Sequence, residues 1–426
     1  MMKVRPYYQN GFLSTFFPIY LFILITAYLS LVVISALMVP KFNTTTAFVL
    51  MNGMIFATNS IIITAYFILG KQLPLNRKLL IGVLVALVAS IATLISSQLH
   101  GFEIATFDYI FVPVKLINLG MLFVIPASIA ISKKGLKSFA KLIMLLGVLA
   151  ALFNMYYNYS EILRINTIKS TYAVNFQSFF LNRNTFGQFM ALSLIAHAIY
   201  YERKHSIMSV LIICLLILNL VLTFSRGAIL MASIFLTLYF KPWKLSRMSK
   251  NKYIIGITFL GLICIAMQPN VMNFISSIVI RKESGLTGRG LAWETGFGLI
   301  SNTNLIFGVG NFTAKNVVYE LLAHNEYHSF YIETLVSGGL AELFLYGLLF
   351  RFMYSRIKLI RYFDINAFEV YQAAYIAMLS YAFIESVSFF SIGYVDTIFL
   401  VMFITIPLMY SNFSTHVERD VKEVQL

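Results

Sequence analysis

Runs of about twenty apolar residues recur along nearly the whole of this 426-residue chain, and they restrict what it can fold into. Each run is long enough to cross a hydrocarbon core about 30 Å thick as a helix. Helices satisfy their backbone hydrogen bonds within each span, so such runs become transmembrane helices rather than open strands. Hydrophobic residues make up 59% of the chain and charged residues 12%, which excludes an ordinary soluble domain. The expected fold is an all-α polytopic membrane protein with about twelve transmembrane helices, its whole length 1–426 forming one integral membrane domain. The spans are expected at 16–38, 47–70, 79–98, 107–131, 139–156, 185–201, 207–223, 227–240, 253–268, 328–350, 369–390 and 395–411. The first run is too long for a signal-peptide core and reads as an uncleaved span.

The basic residues set the orientation. With the N-terminus in the cytoplasm, 22 of the 32 Lys and Arg fall on inner segments, including Lys133, Lys137, Arg351, Arg356 and Lys358. Only six acids share that side, among them Glu202 and Asp364. The inner face thus carries 22 − 6 = +16 and the rest of the chain −1, so the whole net excess of +15 lies inside, and both termini are expected to be cytoplasmic. The charge is a membrane-topology signal. No basic patch interleaved with exposed aromatics points to nucleic acid. Cys214 and Cys264 fall inside spans and read as small core residues, and the six histidines have no metal-ligand spacing. No metal or other cofactor is expected.

Two outer segments are long: 157–184 and 269–327. In the second, VMNFISSIVI, LAWETGFGLI and AKNVVYELLA read as short amphipathic helices, with SGLTGRG and FGVGN as turns between them. A helical cap over the outer end of the bundle is expected.

Charge near membrane depth is expensive and marks candidate function. Arg226 follows Ser225 in TFSRGAILMA, between two apolar runs. Ser225 is placed to N-cap the next helix, so free N–H groups and a positive helix end accompany the guanidinium and suit a pyrophosphate. The alternative is an arginine snorkelling to outer headgroups. Arg289, between Gly288 and Gly290, is either a second phosphate clamp or a loop arginine paired with Glu283 or Glu294. Arg183, at the start of a span, is a third candidate for phosphate or sugar. His328 opens the span 328–350 and is the preferred general base for a sugar hydroxyl, with His324 and Glu326 in reserve. An interfacial histidine can equally be a headgroup or cap contact. Asp108 and Lys115 are seven apart on one face and are expected to pair. With Glu333, Glu342 and Glu385, such charges in apolar segments also fit the proton relay of a transporter.

Three blocks resemble the bacterial O-antigen ligase/polymerase superfamily. SRGA at 225–228 is similar to its Ser-Arg-Gly turn. TGRGLAWETGFGLISNTNLIFGVG at 287–310 is similar to the block of arginine, tryptophan and Gly-x-Gly before its catalytic helix. His328-Ser329, then nine residues, then Gly339 resembles its histidine signature, and FLNRN at 180–184 resembles the start of its middle span. The signature's last small residue is replaced by Glu342. A competing His324-Asn325 has leucine, Leu335, where the glycine belongs.

The resemblance implies a GT-C-like membrane glycosyltransferase in the bacterial cytoplasmic membrane, metal-independent and inverting. Its donor would be an oligosaccharide on undecaprenyl diphosphate. Arg226 and Arg289 would hold the pyrophosphate while His328 takes the proton of the glycan acceptor. Polymerisation of lipid-linked repeat units is the preferred activity, with a flippase and a chain-length regulator as candidate partners. Ligation to a lipid A core is the alternative. A non-enzymatic exporter or flippase, relaying charge through Asp108, Lys115 and Glu385, is the rival from another class.

Overall fold

The computed structural model describes residues 77–163, 176–180, 182–202, 206–240, 287–302, 305–322, 326–387, 389 and 396–413, with a few isolated positions in 18–25 and 57–64. Every regular element among them is helical. In chain order these are α1 (Arg77–Leu99), α2 (Thr106–Leu119), α3 (Lys133–Tyr157), α4 (Tyr159–Leu163), α5 (Arg183–Tyr201), α6 (Ile207–Leu222) and α7 (Arg226–Phe240). After the undescribed stretch follow α8 (Thr287–Asn302), α9 (Asn311–Leu322), α10 (Phe330–Ile360), α11 (Ile365–Ile384) and α12 (Asp396–Leu400). Among the described residues five helices are long and apolar enough to cross a membrane: Leu79–Leu99, Thr106–Ser128, Lys133–Tyr157, Phe330–Ile360 and Ile365–Ile384. Ile207–Leu222, Arg226–Phe240 and Ile398–Phe413 are shorter apolar helices. The expected spans 16–38 and 47–70 lie largely, and 253–268 wholly, outside the described residues, as does the segment VMNFISSIVI.

The chain forms two compact units. One holds residues 1–136, 289–372 and 382–426; the other holds 137–288 and 373–381.

In the second unit α5 is wrapped on nearly every side, with Phe186 through Ile199 buried. Asn182 caps it, accepting from the Thr185 amide at 2.8 Å. Gly187, one turn in, lets the start of α7 approach. A Cβ there would stand 2.9 Å from the Ser225 Cβ and 3.0 Å from the Ala228 Cβ. The N-terminal ends of α5 and α7 therefore meet, which brings Arg183, Ser225 and Arg226 to one end of this unit. At the other end of α5, Lys137 pairs with Glu202 at 3.1 Å, both residues of the expected inner side.

In the first unit, α2 and α9 are joined at their starts. Asp108 accepts from the Phe312 amide at 2.8 Å and from the Thr313 amide and hydroxyl at 2.9 and 2.7 Å. Thr313 in turn accepts from the Ala105 amide at 3.1 Å. The carboxylate is thus a helix cap for α9 supplied by another helix, and it satisfies N–H groups that α9 leaves without intrahelical acceptors. This corrects the expected Asp108–Lys115 pair: a buried carboxylate gains more from aligned amide donors than from a cation two turns along its own helix. Asp108→Ala should cost about 2–3 kcal/mol, because it strands buried donors, and Asp108→Asn should recover part of that. Thermal unfolding of the purified variants measures both.

Helix α10 is interrupted. Gly339 sits at φ 67°, ψ −166°, so the expected single span 328–350 is two helical segments meeting at that residue. The loop FGVGN repairs the break. The Val309 and Gly310 amides donate to the Val336 and Ser337 carbonyls, and the Leu340 and Ala341 amides donate to Leu305 and Ile306. Non-helical backbone at such depth survives only when buried in protein and rebonded in this way. At the far end of α10, Lys133 pairs with Asp364 at 2.9 Å, again two residues of the expected inner side.

Candidate functional site

The helix α8 begins at Thr287, so TGRG is its first turn and not the loop expected from SGLTGRG. Arg289, Trp293 and Gly296 recur at helical spacing along one row of α8. The Trp293 indole donates to the Tyr327 carbonyl at 2.7 Å. Gly296 faces the Tyr327 ring, where a Cβ would come within 2.8 Å. Tyr327 is fully buried and its hydroxyl donates to the Ala314 carbonyl at 3.0 Å. Burial pushes its phenol far above the ordinary tyrosine range, with Glu333 adding to the effect, so it acts as a neutral brace. Tyr327 is gripped by α8 and α9 together, and it fixes the residue that follows it.

That residue is His328, held at φ 51°, a left-handed conformation rare outside glycine. Its ring is partly exposed, and its Nδ1 lies 3.5 Å from a Glu326 carboxylate oxygen and 3.8 Å from Glu385 Oε2. Glu326 is open to the surroundings, whereas Glu385 is buried. The other oxygen of Glu385, Oε1, accepts from Arg289 Nη2 at 2.9 Å. Glu283 lies outside the described residues, and among the described residues Arg289 is thus paired with neither Glu294 nor any other neighbour on its own helix. Its partner is a carboxylate 96 residues away. The Phe330 amide donates to the Glu385 backbone carbonyl at 3.1 Å, which ties the start of α10 to the same point.

A cavity of about 70 Å³ lies along α10 in this unit, walled by Asp108, Lys115, Glu333, Ser337, Glu342 and Tyr346. Lys115 forms an ion pair with Glu342 and lies 5.6 Å from the centre of the Tyr346 ring. Lys315 pairs with Glu333 at 2.8 Å. Glu342, where the histidine signature calls for a small residue, needs Gly338 beside it: a Cβ on Gly338 would overlap its carboxylate. Glu333 Oε2 and the Ser337 hydroxyl make no hydrogen bond among the described residues, so this wall keeps hydrogen-bonding capacity for a polar guest.

Of the sequence-selected residues, Arg289, His328 and Glu326 come together in the first unit. Arg183, Ser225 and Arg226 share one end of the second. Arg226 is exposed in the first turn of α7. Ser225 stands at the capping position, its carbonyl accepting from Ile229, but its buried hydroxyl makes no cap bond and has no hydrogen-bond partner among the described residues. The turn is instead closed by Thr223, whose hydroxyl accepts the Ser225 amide at 3.2 Å. His324 and Cys264 lie outside the described residues. Sequence reasoning read Glu385 as a transport relay and missed it as the partner of Arg289 and His328. Its signal was an acid with no local cation inside an apolar segment.

No curated protein matches the chain. Residues 209–347 match the model of a family described as O-antigen ligase. That stretch contains SRGA, the block 287–310 and the His328–Gly339 signature, whereas Glu385, Asp108 and Lys115 lie outside it. The chain is a multi-pass helical membrane protein by its helices. Over residues 209–347 it is similar to the O-antigen ligase family, and that similarity supports a function of the ligase/polymerase type.

Proposed function

We propose that this protein is a membrane glycosyltransferase that polymerises lipid-linked oligosaccharide repeat units, using undecaprenyl diphosphate as the leaving group. The observation that carries this reading is the convergence of Arg289 and His328 on Glu385. A cation and a base of that kind suit the two charge changes of glycosyl transfer. Negative charge grows on the departing diphosphate, where a guanidinium stabilises it. A proton leaves the attacking hydroxyl, and His328 accepts it.

Arg226 and Arg183, each at the start of a helix, are proposed to bind anionic or sugar groups of the donor. The unsatisfied oxygens of Glu333 and Ser337 are suited to sugar hydroxyls of the acceptor. Attack on the anomeric carbon in one displacement inverts it, and arginines take the place of a metal in stabilising the leaving group. The reaction is proposed to take place on the outer face of the cytoplasmic membrane. Polymerisation is preferred over ligation to a lipid A core because the histidine signature departs at Glu342, where this chain has its ion pair with Lys115.

The test uses purified full-length protein in nanodiscs with undecaprenyl-diphosphate-linked repeat units, with and without a lipid A core acceptor. A product ladder without added acceptor is expected. Arg289→Ala is expected to lower kcat/KM by about 100-fold. Product formed only with the core acceptor would make the protein a ligase. No transfer in either tube, with sound donor, would favour the exporter reading.

A further inference from the structure

Glu385 places its two carboxylate oxygens on two different groups. Oε1 is hydrogen-bonded to Arg289 at 2.9 Å, while Oε2 stands 3.8 Å from His328 Nδ1, just beyond hydrogen-bond length. Its side chain is 8% exposed, so it cannot exchange a lost partner for bulk water.

We propose that Glu385 is a positioning residue that passes from Arg289 to His328 when the donor binds, so that the base is aligned only in the donor-bound site. This rests on the glycosyl-transfer reading above. A diphosphate offers more charge and more acceptor oxygens than one carboxylate, and it competes for the Arg289 guanidinium. A buried carboxylate that loses its cation is left uncompensated, at a large cost in free energy. Its nearest remaining partner is the His328 Nδ1–H, reached by a shift of under about 1 Å. A carboxylate there selects the tautomer whose Nε2 lone pair faces outward, and it stabilises the imidazolium that forms.

The chemistry balances without a further reagent. The acceptor oxygen bonds to the anomeric carbon, and the bond from that carbon to the diphosphate oxygen breaks, its electron pair leaving with the diphosphate. The hydroxyl proton passes to His328 Nε2. Before the donor arrives, Arg289 holds the carboxylate away from His328.

The handover has a kinetic signature that a merely structural role lacks. Glu385→Gln removes the competitor for Arg289 and weakens the alignment of His328 at once. With full-length protein in nanodiscs and undecaprenyl-diphosphate-linked repeat units, kcat should fall by about 10- to 100-fold while the donor KM stays level or falls. Should Glu385→Gln fail to fold, Glu385→Asp keeps the charge on a shorter arm and should show the same fall in kcat without a rise in KM. A kcat within about twofold of wild type, or a raised donor KM at unchanged kcat, would overturn the proposal. So would the same signature in Glu326→Gln but not in Glu385→Gln, since Glu326 also approaches His328 Nδ1, at 3.5 Å. Wild-type protein that transfers nothing would overturn the glycosyl-transfer reading itself and the handover with it. Active wild type with an unaffected Glu385→Gln would overturn the handover alone.

Discussion

His328→Ala is expected to lower glycan transfer by about three orders of magnitude while leaving the protein folded. The imidazole is 26% exposed at the end of a loop braced by Tyr327 and the start of α10, so its removal opens no core cavity. Alanine also inherits the same positive φ as histidine, so the backbone strain is unchanged. What disappears is the group proposed to take the acceptor proton. The measurement is the gel assay of lipid-linked products beside a thermal melt in detergent. A variant that still builds the ladder at the wild-type rate would remove His328 from the mechanism, and the exporter reading predicts that behaviour.

Gly339→Ala should produce the largest loss of stability. The residue lies at φ 67°, ψ −166°, a region essentially reserved for glycine. A Cβ there would stand 2.2 Å from the Ile306 carbonyl oxygen and 2.5 Å from the Phe307 amide nitrogen, both backbone atoms that cannot swing aside. Strain and clash together should cost about 4 kcal/mol or more, a large part of the stability of a typical domain. Gly347→Ala provides the comparison within the same helix. Nothing lies within 4 Å of its Cβ position, and alanine should be neutral or stabilising by up to about 1 kcal/mol. Thermal unfolding of the two variants separates them. Equal melting temperatures would show that the break at Gly339 is not required.

This break also gives the histidine signature a physical meaning. The glycine that follows His328-Ser329 after nine residues marks where α10 is interrupted. There the loop 305–310 inserts its amides and carbonyls in place of the missing helical bonds. Gly308, at φ 68°, has the same constraint from the other side: a Cβ would meet the Val336 carbonyl oxygen at 2.6 Å. The Gly-x-Gly of FGVGN and the glycine of the signature are therefore two halves of one contact. A regular-expression reading treats them as separate.

The sequence by itself determined the helices. Expected spans 79–98, 139–156, 207–223 and 227–240 correspond to Arg77–Leu99, Lys133–Tyr157, Ile207–Leu222 and Arg226–Phe240. A run of apolar residues carries its own reason to be helical, since its backbone bonds close within a few residues. Arg183 and Arg226 at helix starts were legible for the same reason. Tertiary structure alone decided which charges meet. Arg289 pairs with Glu385 across 96 positions, and Lys115 pairs with Glu342 across 227. Asp108 caps a helix some 204 residues further on. The local expectation for Asp108 and Lys115 failed because proximity along one helix is weaker than an aligned partner from another. A buried charge is paired by whatever the fold brings within about 3 Å, and linear spacing holds no record of that.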